Sequence, residues 1–233
     1  MTVTVTSIAG GAPKPVFDIL APRFLAQTGH RHNALYDSMA GIAARVAAHE
    51  AFDVLVMPMP MLDAYEKDGI VKSAGRAALA NIGLAVGVRT GSKLPDISTP
   101  DALRRALSAA RSVVHAPPHA TPSGAQSDKV IKELGLADEL KSRVIHKVGL
   151  AGGLAAIGSG EADIGIFPKS EIVSGANVTL VGPLPDALQL VITYGAGVVA
   201  ASPVAGPAAE LIRFLVTPES RAVWLACGFD PPP

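Results

Sequence analysis

Short apolar runs with a period of two alternate along this chain with segments whose apolar residues recur every three or four positions, the pattern of strands and helices in succession. Residues 3–8 show the first pattern and end in the small-residue turn Ala9-Gly10-Gly11-Ala12. From 15 to 28, Val16, Ile19, Leu20 and Phe24 share one helical face, and Gly29 is a stop. Residues 32–36 read as a second strand and 40–48 as a helix. Residues 52–57 form an apolar strand bounded by Pro58 and Pro60, and 62–68 a short helix closed by Gly69. Strand, helix, strand in this order predicts parallel βαβ units covered on both faces.

The second stretch repeats the alternation. Residues 82–88 read as a strand. Thr99-Pro100-Asp101 opens a helix: threonine can cap, proline suits the first turn and aspartate complements the dipole. A strand over 112–115 leads into the loop Ala116-Pro117-Pro118-His119-Ala120-Thr121-Pro122-Ser123-Gly124, then a helix to Leu134 stopped by Gly135. Strands over 143–148 and 162–167 flank a helix over 152–159, and the latter strand ends at Pro168-Lys169-Ser170. Strands over 178–181 and 191–200 and helices over 207–215 and 218–227 complete the chain. There is no internal repeat, and the terminal Pro231-Pro232-Pro233 is the one low-complexity segment.

Composition narrows the function classes. Lys plus Arg is 20 and Asp plus Glu is 20, so the formal charge is zero and the basic excess of a nucleic-acid binder is missing. Aromatics at 4% leave too few rings for a base-stacking platform. The single cysteine, Cys227, excludes an intrachain disulfide and a multi-cysteine zinc cluster, and beside Trp224 it reads as a buried inert thiol. No run of about 18 apolar residues exists to insert in a membrane. Thr2-Val3-Thr4-Val5-Thr6 follows Met1 with neither a basic n-region nor an apolar h-region, so no secretory leader is legible. A cytoplasmic location is expected if the chain is native as given, a periplasmic one if a leader was removed.

Several segments then acquire meaning together: Tyr36-Asp37-Ser38-Met39-Ala40-Gly41-Ile42-Ala43, Phe52-Asp53-Val54-Leu55-Val56, Thr121-Pro122-Ser123-Gly124, Gly160-Glu161-Ala162-Asp163-Ile164-Gly165-Ile166, Ile192-Thr193-Tyr194 and Phe214-Leu215-Val216-Thr217-Pro218-Glu219-Ser220. In this order and spacing the chain resembles the molybdate-binding proteins among the type II periplasmic solute-binding proteins, over essentially its full length. The resemblance implies an α/β fold of two lobes, each a mixed sheet flanked by helices, joined by two crossover strands near 83–88 and 193–198. Lobe 1 would comprise 1–82 and 196–233, lobe 2 83–195, with a small anion in the cleft. It also implies delivery to an ABC permease.

The residues argue against molybdate itself, since fold does not fix the ligand. The resemblance implies serine hydroxyls, a tyrosine hydroxyl and helix-start amides around the oxyanion. Here the first serine position falls at Gly10 or Gly11, Ser38 is followed by Met39, and Pro168 stands at the tyrosine position. Helix starts after Gly10-Gly11, Ser38-Met39, Thr121-Pro122-Ser123-Gly124 and Leu150-Ala151-Gly152 would still aim amides at an anion. The added room favours an organic carboxylate. Lys169 follows a strand end, where ligands of open α/β sheets bind.

The leading expectation is a non-catalytic anion carrier without cofactor or metal, whose lobes close over the ligand. The alternative is a cofactor-independent isomerase of a small unsaturated polycarboxylate, because aconitate isomerases resemble the same family. Its proton carrier would be Lys169, His115 or His119. A cytoplasmic ligand sensor is a third reading, with no DNA-binding module attached to support it.

Overall fold

The computed structural model describes residues 2–232; Met1 and Pro233, the last residue of the proline tail, lie outside the described residues. The chain opens with β1 (Thr4–Ala9), α1 (Lys14–Thr28), β2 (Arg31–Tyr36), α2 (Met39–Ala47), β3 (Val54–Pro58) and α3 (Met59–Lys67). It continues with β4 (Ala77–Arg89), α4 (Pro100–Ala109), β5 (Val113–His115), α5 (Pro122–Glu133), α6 (Ala137–Leu140) and β6 (Val144–His146). A π-helical turn (Leu150–Leu154) runs into α7 (Ala155–Ser159), followed by β7 (Ile164–Pro168), α8 (Lys169–Ser174) and β8 (Val178–Pro183). The last elements are β9 (Val191–Val198), α9 (Ala205–Leu215) and α10 (Pro218–Ala226). The fold is α/β, with strands and helices in alternation. Two compact units result: one runs to Asn81 and resumes at Ile192, the other is Ile82–Val191. No helix among the described residues is long and apolar enough to cross a membrane.

In the first unit the strand order is β2-β1-β3-β9. β1 is parallel to both neighbours, Ala9 standing opposite Tyr36 and Val56, as βαβ connections require. β9 is antiparallel to β3, with Tyr194 opposite Pro58, because the chain enters it from the second unit and needs no crossover helix. Ile8, Ile42, Leu55, Met57 and Leu62 are wholly buried in one core cluster. Aromatic rings lock α1 to the C-terminal helices: Phe17 meets Trp224 edge-on at 6.0 Å, and Phe24 meets Phe214 at 5.4 Å. The Trp224 indole N–H donates to Leu215 O at 3.1 Å, so this ring is buried without an orphaned donor. Burial also raises the Cys227 thiol above its ordinary value, in keeping with an inert cysteine.

In the second unit β5 lies between β6 and β7, parallel to both, while β4 is antiparallel to β7 and β8. Alternation along the strands builds a core on each face of this sheet. Leu84, Val86 and Val88 of β4 join Ile164 and Ile166 of β7 on one face. Ala85 and Phe167 point the other way, onto Val114, Ile157 and Ile172. Each large aliphatic or aromatic side chain buried in this manner contributes roughly 1.5–3 kcal/mol.

Several elements differ from the sequence pattern. β4 starts at Ala77, before the expected residue 82, because Ala77-Ala78-Leu79-Ala80 has little β-propensity of its own and is held by its neighbours. α6 and α8 occupy segments read as loop; at four and six residues they are too short for a helical period to register. The strand expected over 143–148 is trimmed to Val144–His146. The helix expected from 152 begins two residues earlier, as a π-helical turn, so Leu150 lies inside it and not ahead of it.

Candidate functional site

Parallel pairing brings the ends of β1, β2 and β3 to one edge of the first unit, and the register places Tyr194 of β9 there. Gly10 is buried just beyond β1. A β-carbon on it would lie 2.8 Å from Met39 Cε and 3.4 Å from Tyr194 Oη, so these three residues meet. Gly11 has open space beside it. Ser38 is exposed and caps α2, its Oγ accepting the Gly41 N–H at 3.0 Å.

The charge at this edge is mixed. Asp37 Oδ1 accepts the Ser38 N–H at 2.7 Å, and the same carboxylate lies over Gly41. The start of α2 therefore already holds an anion, 3.7 Å from Arg45 Nη1. The start of α1 is likewise occupied, Lys14 N–H donating to Gly11 O and the Val16 and Phe17 N–H groups to Pro13 O. Lys14 Nζ sits 5.6 Å from the Tyr36 ring centroid. Burial, with Asp18 nearby, pushes the Tyr36 hydroxyl well above its usual range, so it stays a neutral donor. Lys14, Tyr36 and Tyr194 were not named as site residues from sequence, although Tyr36 and Tyr194 stand in the segments that carry the resemblance. Tyr36 ends β2 and Lys14 begins α1 just after β1, whereas Tyr194 lies within β9 and reaches this edge only through its register with Pro58.

The second unit gathers its own residues where β5, β6 and β7 end. His115 is buried and pairs in register with His146, their rings edge-on at 4.8 Å. His115 Nδ1 lies 2.8 Å from Ala116 O. A carbonyl only accepts, so Nδ1 carries the hydrogen and Nε2 the lone pair. Burial lowers the His115 pKa and so favours the neutral ring, and that hydrogen bond partly offsets the shift. His146 was also missed; register with His115 is the feature that brings it in. His119 stands exposed on the turn closed by Ala120 N–H to Pro117 O.

Thr121 caps α5, its Oγ1 accepting the Gly124 N–H at 2.9 Å and contacting Ser123 Oγ at 2.9 Å. Gly124 itself is packed against the carbonyls of Ala116 and Pro117, with no room for a side chain. Its structural duty is therefore definite. Leu150 is exposed at the start of the π-helical turn, and Gly152 within that turn lies against Lys147, whose N–H donates to His115 O at 3.2 Å. Pro168 ends β7 and Lys169 begins α8, both half-buried. Next to them the buried Ser170 Oγ and Glu171 Oε2 have no hydrogen-bond partner among the described residues. Burial pushes the Glu171 carboxyl up to about 7.

Gly10, Gly11, Ser38 and Met39 thus collect at one edge of the first unit. His115, Gly124, Leu150, Pro168 and Lys169 collect along the matching strand ends of the second, Thr121 and Ser123 at the start of α5.

The profile of a family described as bacterial extracellular solute-binding protein matches residues 5–230. An aconitate isomerase from Pseudomonas sp. is 26% identical over 238 residues, covering 99% of this chain and 88% of that protein. Among solved structures, the substrate-binding domain of a molybdenum ABC transporter from Clostridium difficile superposes with a TM-score of 0.82 at 16% identity, covering all of both chains. The periplasmic molybdate-binding protein of Azotobacter vinelandii superposes with a TM-score of 0.79 at 18% identity, covering 98% of this chain and 100% of that one.

Proposed function

Because the chain belongs to the bacterial extracellular solute-binding proteins, we propose that it carries a small organic carboxylate and not molybdate. The observation that carries this reading is the cluster of Gly10, Met39 and Tyr194. A compact tetrahedral oxyanion needs donors on every side, and here a thioether methyl group lies against a residue with no side chain. A ligand with a carbon body can rest on Met39 while its carboxylates take donors such as Lys14, the Tyr36 hydroxyl and Ser38 of the same unit. Delivery would be to an ABC-type permease, outside the cytoplasmic membrane. A thermal-shift series of di- and tricarboxylates beside molybdate, tungstate and sulfate tests the reading. A polycarboxylate is expected to raise the melting temperature by several degrees, at a concentration of about 100 times Kd, where molybdate does little. The reverse ranking overturns it.

The full-length similarity to an aconitate isomerase favours a second reading, turnover of the bound acid. In this reading the proton carrier would be Lys169, His115 through its Nε2 lone pair, or His119. Incubation with trans-aconitate in deuterated water, followed by proton NMR, separates the two. A carrier binds without exchange. An isomerase exchanges the carbon-bound proton and loses this in Lys169→Met or, if that variant still exchanges, in His115→Gln.

A further inference from the structure

We propose that the first unit has a second ligand site, for a small apolar amine, at the edge of its sheet opposite Gly10 and Ser38. A cavity of about 530 Å³ opens where β3 begins and β9 ends, a volume within the range of small-molecule sites. Its walls are mainly aliphatic and aromatic: Val46 of α2, Phe52, Leu55, Ile70 and Val199. Among the described residues no lysine or arginine lines it, although the Arg45 guanidinium stands 5.2 Å from the Phe52 ring centroid.

Two features set this cavity apart from a packing gap. The first is Asp53, buried in its lining and 8% exposed. Its Oδ2 accepts the Thr6 N–H at 2.8 Å and its Oδ1 the Ser202 hydroxyl at 2.6 Å, so both partners are neutral donors. No ion pair is formed by this carboxylate among the described residues. A buried carboxylate held by hydrogen bonds alone retains spare lone pairs and a charge for which a cation is the natural complement. The second is His49, at the end of α2 and in the same lining, with φ 56. Its N–H closes the helix onto Val46 O at 3.0 Å. Glycine would hold that left-handed position without strain; histidine holds it at a cost and places an imidazole in the lining. The other carboxylate in the lining, Glu50, is already occupied by Arg45, whose Nε lies 2.7 Å from Oε2. Asp53 is therefore the counter-charge, the apolar walls take the body of the ligand, and the class is a primary amine on a ring or short alkyl chain.

The probe is 2-phenylethylamine, with 3-phenylpropionate and 2-phenylethanol as the anionic and neutral analogues, in calorimetry and amide NMR on the full chain. The amine is expected to saturate in the millimolar range or below, ahead of both analogues, shifting amides of Ala51, Phe52, Val199 and Ala200 while those of Gly11 and Ser38 stay still. Asp53→Asn should weaken the amine by at least about tenfold and leave the alcohol unchanged. Should that variant lose its fold, Ala200→Phe, at an exposed position, should block the cavity and abolish the shifts. Binding of all three probes alike, shifts centred on Gly11 and Ser38, or amine affinity untouched by both variants would each overturn the proposal. The outcome is independent of the carboxylate reading, whose residues lie at the opposite strand ends.

Discussion

Asp37 limits what α2 can offer an anion. Its carboxylate accepts the Ser38 N–H and lies over Gly41, so the helix's positive end is already neutralised from within. A carboxylate so placed stabilises the helix by about 0.3–1 kcal/mol, and the same amount is charged against any second anion that approaches. Asp37→Asn should therefore lower unfolding stability slightly and tighten binding of the carboxylate ligand about two- to five-fold at low salt, read by calorimetry. Unchanged affinity would mean that the ligand stays away from α2. Gly10 and Met39 belong to the same scale. Each is unremarked alone, and only their contact turns a missing hydroxyl into a surface for carbon.

At the scale of elements, the start of α5 shows how a cap and a close approach act together. Thr121 caps the helix, while Gly124 lets it lie on the carbonyls of residues 116 and 117. A β-carbon at 124 would stand 2.6 Å from Ala116 O, and a backbone carbonyl has no rotamer by which to retreat. Gly124→Ala should therefore cost about 1–3 kcal/mol in urea unfolding, and Ser123→Ala much less. An unaffected Gly124→Ala would mean that α5 docks differently. The same contrast explains what was legible in the sequence. β1, α1, α4 with its Thr99 cap, and the helix stop at Gly29 carry strong local signals and stand where the pattern puts them. α8 does not, because six residues after a proline have no period to read. Gly10, Ser38 and Met39 were visible as residues following strands. Tyr194 and His146 were not, because their place depends on register with Pro58 and His115, strands far away in sequence.

Across the whole molecule, one buried group in each unit, His32 and Glu171, responds to acid in the opposite sense to the other. Burial lowers His32 in the first unit from 6.5 to about 4; Nε2 bonds Ser7 Oγ at 2.8 Å and buried Nδ1 has no acceptor for a second proton. Between these values the unfolded chain binds more protons than the folded one, so this contribution is intact above pH 6.5 and is lost as pH falls towards 4. Glu171 in the second unit, raised from 4.5 to about 7, is the converse: its contribution is intact below 4.5 and is lost as pH rises through 7. Each of these two shifts corresponds to about 3 kcal/mol. Amide exchange should show β2 losing protection on acidification and α8 on alkalinisation, with His32→Phe and Glu171→Gln flattening one profile each, while His115, lowered by burial like His32, adds an acid-side loss around β5. Parallel profiles for β2 and α8 would refute this. The division of the chain also orders its synthesis. Residues 82–191 leave the ribosome as an unbroken segment and can reach their fold at once, whereas the first unit must wait for β9 to cover the free side of β3. During that interval Val54, Leu55, Val56 and Met57 present an apolar strand edge to the surroundings, and the nascent chain is most exposed to mispairing and to capture by chaperones just before its last segment emerges.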